Sequence, residues 1–195
     1  MFLPNRRLIA GILTWGLCML LVIPAAAAIS PSQLGEKAPD ALVIDAADVL
    51  SRSSKAELEA RLQSFGEERV DARLITLRRL DYGLSLEAFG NELISSWSNR
   101  GQAPLLLLMI ETKSKSAALV GDPALKERLP QSLLTSTARS TMAAPLREGD
   151  RYRKSCIDGL NRLFTVLQGG EDPGPPKDSE PVSYTHLRAH ETSQH

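Results

Sequence analysis

The amino-acid sequence predicts an α/β fold: a three-layer α/β/α sandwich with helices on both faces of a small, mostly parallel sheet. Short apolar runs alternate along the chain with segments whose apolar residues recur at helical spacing. Strands separated by helices pair in parallel through right-handed crossovers. The run from Leu105 to Ile110 is apolar at every position, which is typical of an inner strand buried on both faces.

The first strand and the first helix lie close together in the sequence. Residues 41–44 form a short apolar run that ends at Asp45, which predicts a strand. Ser54 and Glu57 have capping-box spacing, in which two side chains satisfy free N–H groups at a helix start. We therefore predict a helix from Ser54, with its buried face formed by Leu58, Leu62 and Phe65.

A second strand and helix precede the central strand. Residues 73–77 are predicted to be β-structure, and Asp81-Tyr82-Gly83 has the composition of a turn. Ser85 is a suitable N-cap for the next helix. The buried stripe of that helix is predicted to be Leu86, Phe89, Leu93 and Trp97.

The segment after the central strand turns back on it and then becomes helical. Polar residues 112–115 predict a turn, and the apolar run 117–120 predicts an antiparallel edge strand. Three helical pieces follow, the last beginning at Asp150. Cys156 lies in the apolar stripe of this last helix, so we interpret it as a small core residue rather than a reactive thiol.

Composition divides the chain into a folded region and its flanks. Residues 1–28 have the basic start, apolar run and alanine-rich site of a secretory signal, with an uncleaved anchor as the alternative. A polar leader (29–40) precedes the globular domain (41–168), and a linker rich in proline and glycine (169–181) follows it. Residues 182–195 hold all three histidines. Part of this tail back-translates to a transposase adapter used in library preparation, so we expect it to be non-native.

Charge and composition exclude several classes of function. The sequence has 23 basic and 23 acidic residues. They are interspersed, whereas a nucleic-acid partner requires a clustered basic face. Without the tail no histidine remains for a Ser-His-Asp or Cys-His arrangement. The glycines also lack the spacing of a phosphate-binding loop.

Three aspartates are candidate ligands or catalytic carboxylates. Asp45, Asp48 and Asp122 each follow a predicted strand, and ligands of open α/β sheets collect at the carboxyl ends of strands. Such oxygens suit a hard cation such as Ca²⁺. The alternative is that they cap helices and stabilise turns.

A second group of candidates is basic or aromatic. Arg78 and Arg79 close a predicted strand, whereas Arg147 and Tyr152 lie before or at the start of the last helix. Arginines near a helix N-terminus can bind a phosphate or carboxylate. We predict contacts with an anion or a partner here, the alternative being an ordinary solvated surface.

Four segments of the sequence carry a resemblance to a known family. The segment from Val43 to Ser51 reads Val-Ile-Asp-Ala-Ala-Asp-Val-Leu-Ser, which resembles the opening signature of TPM domains. That family groups thylakoid-lumen, photosystem II repair and worm receptor-accessory proteins. The segments from Arg78 to Gly83, Met142 to Tyr152 and Asp172 to Pro176 are similar to its photosystem II repair branch.

The resemblance implies an α/β/α TPM fold in the thylakoid lumen, and a role in photosystem II protection and repair. The implied partners are photosystem II subunits or assembly intermediates. Relatives continue beyond the linker into a membrane helix, which the tail would interrupt here. The family also implies two alternatives, namely an acid phosphatase and a calcium-binding domain. A periplasmic or cell-envelope protein unrelated to photosynthesis is the alternative location.

Overall fold

The computed structural model describes residues 30–98 and 102–176. The predicted signal peptide (1–28), the end of the predicted linker (177–181) and the tail (182–195) lie outside the described residues. Among the helices that are described, none has the length and apolar character needed to cross a membrane.

The centre of the fold is a four-stranded sheet with strand order β1-β2-β3-β4. Its strands are β1 (Val43–Asp45), β2 (Asp71–Leu77), β3 (Leu105–Glu111) and β4 (Ser116–Gly121). The first three are mutually parallel, whereas β4 runs antiparallel to β3. The predicted mostly parallel sheet with an antiparallel edge strand is therefore confirmed.

Helices cover both faces of this sheet, as predicted. They are α1 (Arg52–Ser64), α2 (Leu86–Trp97), α3 (Gln131–Ser136), α4 (Ala143–Gly149) and α5 (Tyr152–Leu167), with a π-helical segment (Thr137–Met142) joining α3 to α4 and short 3₁₀ helices at Pro31–Leu34 and Pro123–Leu125. Successive residues of β3 point to opposite faces. Leu106 and Leu108 therefore pack in the cluster that includes α1 and α5, whereas Leu107 and Met109 pack against α2.

The start of α1 differs from the sequence prediction. The helix begins at Arg52, and the Oγ of Ser51 accepts a hydrogen bond from the Ser54 N–H at 3.1 Å. The predicted capping box at Ser54 is wrong because an earlier serine caps the helix. Ser54 is buried in the first turn, and Lys55 reaches back to Asp45.

The described part of the predicted leader packs on the domain. Trp97 is buried, and its Nε1 donates to the Gly35 carbonyl at 3.0 Å. The guanidinium of Arg73, also buried, donates to the carbonyl oxygens of Pro39 and Ala41. Leu34 and Ala38 add apolar contacts on the α2 side of the sheet.

Candidate functional site

A cleft of about 630 Å³ lies where the three parallel strands end. We call it the strand-end cleft. It is lined by segments that follow β1, β2 and β3 and by the turn between α4 and α5, and its lining residues are Ala47, Asp48, Val49, Arg78, Arg79, Thr112, Lys113, Lys115, Asp150 and Tyr152. Ligands of open α/β sheets bind at this edge, and four of the seven predicted site residues meet here: Asp48, Arg78, Arg79 and Tyr152.

The backbone around this cleft is strained. Among the described residues, the non-glycine residues with positive φ are Asp48 (54°), Arg69 (56°), Lys115 (52°) and Asp150 (55°). Three of them line the strand-end cleft. Positive φ is unfavourable for residues other than glycine, although Asp and Asn tolerate it better than most. Residues in this conformation cluster at functional sites.

Tyr152 lies between two charged partners. Its hydroxyl donates to Asp150 at 3.3 Å, and Asp150 accepts Lys115 in an ion pair of 3.0 Å. Partial burial and then the charge and hydrogen bond of Asp150 raise the pKa of Tyr152, although Lys115 opposes them. Tyr152 therefore remains a neutral hydrogen-bond donor at neutral and acidic pH.

The lining of the cleft is predominantly basic. It carries Arg78, Arg79, Lys113 and Lys115 against Asp48 and Asp150. Arg78, Arg79 and Lys113 form no ion pair with the carboxylates of the described residues. An adjoining groove shares Val49, Asp150 and Tyr152 and adds three cations that are each ion-paired, namely Arg151, Arg153 and Lys154. The result is a positive surface on a chain whose formal net charge is zero.

An exposed aromatic residue follows the second strand near the same end of the sheet. Tyr82 is fully exposed, in a turn where Gly83 has φ 86°. The N–H of Leu80 anchors the start of this turn by donating to the Glu111 carboxylate, at the end of β3, at 2.8 Å. This hydrogen bond holds the turn against the end of β3. The residues that directly follow β3 form part of the basic lining of the strand-end cleft.

Asp45 supports the fold beside the strand-end cleft. Its side chain is only 2% exposed. It accepts hydrogen bonds from the Thr76 hydroxyl and from the N–H groups of Val49 and Leu50, and it pairs with Lys55 at 2.8 Å. Burial raises its pKa, but these hydrogen bonds outweigh burial and leave the pKa of Asp45 lowered. Its oxygens are thus engaged in closing the loop between β1 and α1.

Asp122 lies at the opposite end of the strands from the strand-end cleft. It follows β4, whose last residue, Gly121, pairs with Leu106 near the start of β3. There its carboxylate accepts from the Ala124 N–H at 2.9 Å and from the Ser98 hydroxyl at 2.9 Å. The three candidate aspartates are therefore not brought together. An antiparallel strand ends where its parallel neighbours begin, which is why Asp122 lies apart from Asp45 and Asp48.

The remaining predicted residues have separate roles or positions. Arg147 is exposed near the end of α4 and does not line the strand-end cleft. Cys156 is fully buried, and burial raises its pKa to about 12, which agrees with a core residue. Over residues 30–98 and 102–176, no three His, Cys, Asp or Glu side chains are grouped as metal ligands.

Sequence reasoning missed several residues of the cleft, namely Thr112, Lys113, Lys115 and Asp150. The polar composition of residues 112–115 predicts a turn but not its place in the cleft. The position of this segment directly after an inner parallel strand was the available signal, because that places it at the ligand-binding edge of the sheet.

The geometry defines a three-layer α/β sandwich with a basic cleft at its strand ends, and sequence comparison gives its family. The TPM domain profile matches residues 43–166. The chain therefore belongs to the TPM-domain family. Among proteins of curated function, none matches it significantly.

Solved structures share the fold. The N-terminal domain of a P. gingivalis protein has a TM-score of 0.62 at 23% identity, covering 73% of this chain and 94% of that domain. The N-terminal domain of a Corynebacterium glutamicum protein has a TM-score of 0.53 at 14% identity, covering 75% of this chain and 91% of that domain. At these identities the similarity extends to the fold alone.

Proposed function

We propose that this chain is an exported accessory protein of photosystem II protection and repair. It acts by binding photosystem II subunits or assembly intermediates in the thylakoid lumen, and in full length it is tethered to the membrane. Membership of the TPM family and the motif resemblance from Arg78 to Gly83 support this proposal.

The observation that carries a binding role is the basic lining of the strand-end cleft. Arg78 and Arg79 are exposed there, and Lys113 lies beside them on the next strand end. Cations that are not neutralised by an ion pair attract an acidic segment and raise its association rate. Tyr82, exposed after the same strand, provides an amphipathic contact of the kind enriched in interfaces.

Binding of the full chain to solubilised photosystem II particles tests this proposal. We expect charge reversal of Arg78 and Arg79 to glutamate to weaken binding at least tenfold at low salt. Added salt should also weaken wild-type binding, because exposed charges are screened within about 10 Å at 0.1 M ionic strength.

The matched control reverses Lys126 and Arg139, which are exposed and do not line the strand-end cleft. It should bind like wild type. Equal loss in both double variants would indicate non-specific attraction and reject the cleft as the contact. Failure of wild type to bind any photosystem II particle, with retained binding to envelope proteins, would favour the periplasmic alternative.

An acid phosphatase is the second candidate, and one arrangement favours it. Asp48 is exposed in the same cleft as Arg78, Arg79 and Tyr152. A carboxylate among arginines and a neutral hydroxyl donor is suited to phosphomonoester chemistry, since arginine binds phosphate oxygens in a fixed geometry. Asp45 is a weaker candidate because its oxygens already accept several hydrogen bonds.

Turnover of p-nitrophenyl phosphate at pH 5, with and without Ca²⁺, separates the two functions. A phosphatase predicts loss of turnover in Asp48→Asn and retention in Asp81→Asn, an exposed aspartate outside the cleft lining. Equal turnover in wild type and both variants would reject this chemistry at Asp48.

A further inference from the structure

Arg162 is a buried cation on α5, away from the strand-end cleft. Its side chain is 4% exposed. A buried guanidinium requires partners that satisfy its donors, because an unpaired buried charge is strongly unfavourable. Two partners come from the segment around the π-helix: Nη1 donates to the Thr141 hydroxyl at 3.0 Å, and Nη2 donates to the Ser136 hydroxyl at 3.1 Å.

The charged partner comes from the segment predicted to be a linker. Nε and Nη2 of Arg162 donate to the two carboxylate oxygens of Asp172, each at 2.7 Å. This is the bidentate arrangement that makes arginine–carboxylate pairs strong and directional. The same carboxylate accepts the Gly174 N–H at 3.0 Å, so it fixes the following turn as well.

Two glycines return the chain to Arg162 after α5 ends. Gly169 has φ 80°, and the N–H of Gly170 donates to the Thr165 carbonyl at 2.9 Å. A Cβ on Gly170 would lie 2.8 Å from that same oxygen, so a side chain does not fit. The sharp turn brings Asp172 back along the helix that it has just left.

The residues after Asp172 line a groove on the domain. Pro173 to Pro176 form one wall of this groove, which has a volume of about 310 Å³, and Thr141, Asn161 and Thr165 lie on the domain side of it. Three of these four residues are prolines, whose fixed φ reduces the conformational entropy lost when the segment is ordered. Gly174, with φ 72°, supplies the turn between them.

We propose that Arg162, Thr141 and Ser136 form a carboxylate-binding site which Asp172 fills in cis, and that residues 172–176 are a strap closed by it. The strap fixes the course of the chain from the end of α5 to Pro176. It lies on the α5 side of the sheet, whereas the leader packs on the α2 side. The two flanks of the domain are thus held on opposite faces.

The closed strap persists in acid. The hydrogen bond from Arg162 lowers the pKa of Asp172 to about 2 against partial burial. A lowered carboxylate pKa gives the closed form its full stabilisation above the ordinary value of 3.8, and this stabilisation is lost progressively as the pH falls from that value through about 2. Arginine does not lose its proton in this range.

Vacating the site in the full chain tests the proposal. Asp172→Ala leaves the guanidinium with hydroxyl partners only, and Glu171→Ala removes the adjacent exposed carboxylate as the matched control. We expect the Gly174 amide to exchange at least tenfold faster in Asp172→Ala than in wild type. The control should exchange like wild type.

Chemical rescue shows whether the vacated site recognises a carboxylate. Sodium acetate should raise the Tm of Asp172→Ala more than sodium chloride does at equal ionic strength. For wild type and Glu171→Ala, the Tm should be the same in the two salts. If Asp172→Ala does not fold, Asp172→Asn, which keeps the shape but removes the charge opposite Arg162, should lower the Tm relative to Glu171→Ala, and an unchanged Tm would overturn the proposal. Exchange and Tm equal to the control, or destabilisation without selective acetate rescue, would overturn the proposal.

Discussion

At the scale of single residues, the same residue type does different work within a few positions. Asp45 is buried and engaged by several donors. Asp48, three positions later, is exposed in the cleft with φ 54°. From the sequence the two aspartates are equivalent candidates, because both follow a predicted strand. A position after a strand places a carboxylate near the site but does not show its hydrogen-bond partners.

Asp45→Asn should destabilise the protein in a pH-dependent manner. The amide gives up one acceptor and the ion pair with Lys55, so we expect a loss of about 2 kcal/mol at pH 7. The pKa of Asp45 is lowered from 3.8, so wild type has this stability above that value and loses it as the pH falls below it. Urea unfolding at pH 7, 4 and 3 should show the difference between wild type and variant shrinking with acidity.

Asp48→Asn is the control for that series, since asparagine also tolerates positive φ. Its free energy of unfolding should stay within about 0.5 kcal/mol of wild type. A pH-independent difference for Asp45→Asn would contradict the role assigned to the ionised carboxylate.

Lys115→Gly should stabilise the protein while removing a cation from the cleft. Lysine at φ 52° is strained, and glycine is not. The lost ion pair with Asp150 joins side chains that are 42% and 50% exposed, so it contributes little. We expect a net gain of about 0.5 kcal/mol in urea unfolding, together with weaker binding to photosystem II particles.

Lys113→Gly, in the same turn but without positive φ, is the comparison. It should lower stability by about 0.5 kcal/mol, since it adds backbone freedom without relieving strain. Equal effects of the two glycines would show that strain at Lys115 is not significant.

At the scale of helices and strands, the periodicity of apolar residues predicts most of the elements. The capping chemistry of polar side chains predicts less well where a helix begins. Leu105–Glu111 was predictable as an inner strand because apolar residues occupy both faces. The start of α1 was not, because Ser51, Ser53 and Ser54 all have N-cap chemistry. Only the backbone shows that Ser51 has the extended conformation of a cap, with φ −66° and ψ 160°.

Ser51→Ala should therefore destabilise α1 by about 1 kcal/mol. The Ser51 hydroxyl accepts from the Ser54 N–H, and alanine leaves that donor unsatisfied in the first turn. Ser53→Ala, an exposed serine inside the helix, should change stability by less than about 0.5 kcal/mol. Thermal unfolding followed by circular dichroism measures both, and a larger loss in Ser53→Ala than in Ser51→Ala would contradict Ser51 as the cap.

At the scale of the whole molecule, the sequence located the core but not the full extent of the folded unit. Composition divided the chain at residues 40 and 169, because segments poor in apolar residues do not show core periodicity. In the structure the folded unit extends into both flanking segments. Each segment is held by a buried side chain of the domain that donates hydrogen bonds to it, namely Arg73, Trp97 or Arg162. One donor that binds a backbone carbonyl or a lone carboxylate leaves no repeating signal in a sequence. The strand-end cleft is predictable only in part. The ends of the parallel strands show where it lies, but the sequence does not show which turns meet there.

The fragment 30–176 should accordingly be more stable than the fragment 41–168. Removing the C-terminal flank leaves Arg162 buried without its carboxylate, which we expect to reduce stability by about 3 kcal/mol. Removing the leader takes away the Gly35 carbonyl that accepts from Trp97 and the Pro39 carbonyl that accepts from Arg73, with a loss of about 1 to 2 kcal/mol. The intermediate fragments 41–176 and 30–168 separate the two contributions in urea unfolding. Because the flanks pack on opposite faces of the sheet, the losses should be additive. Equal unfolding midpoints for all four fragments would mean that neither flank belongs to the cooperative unit.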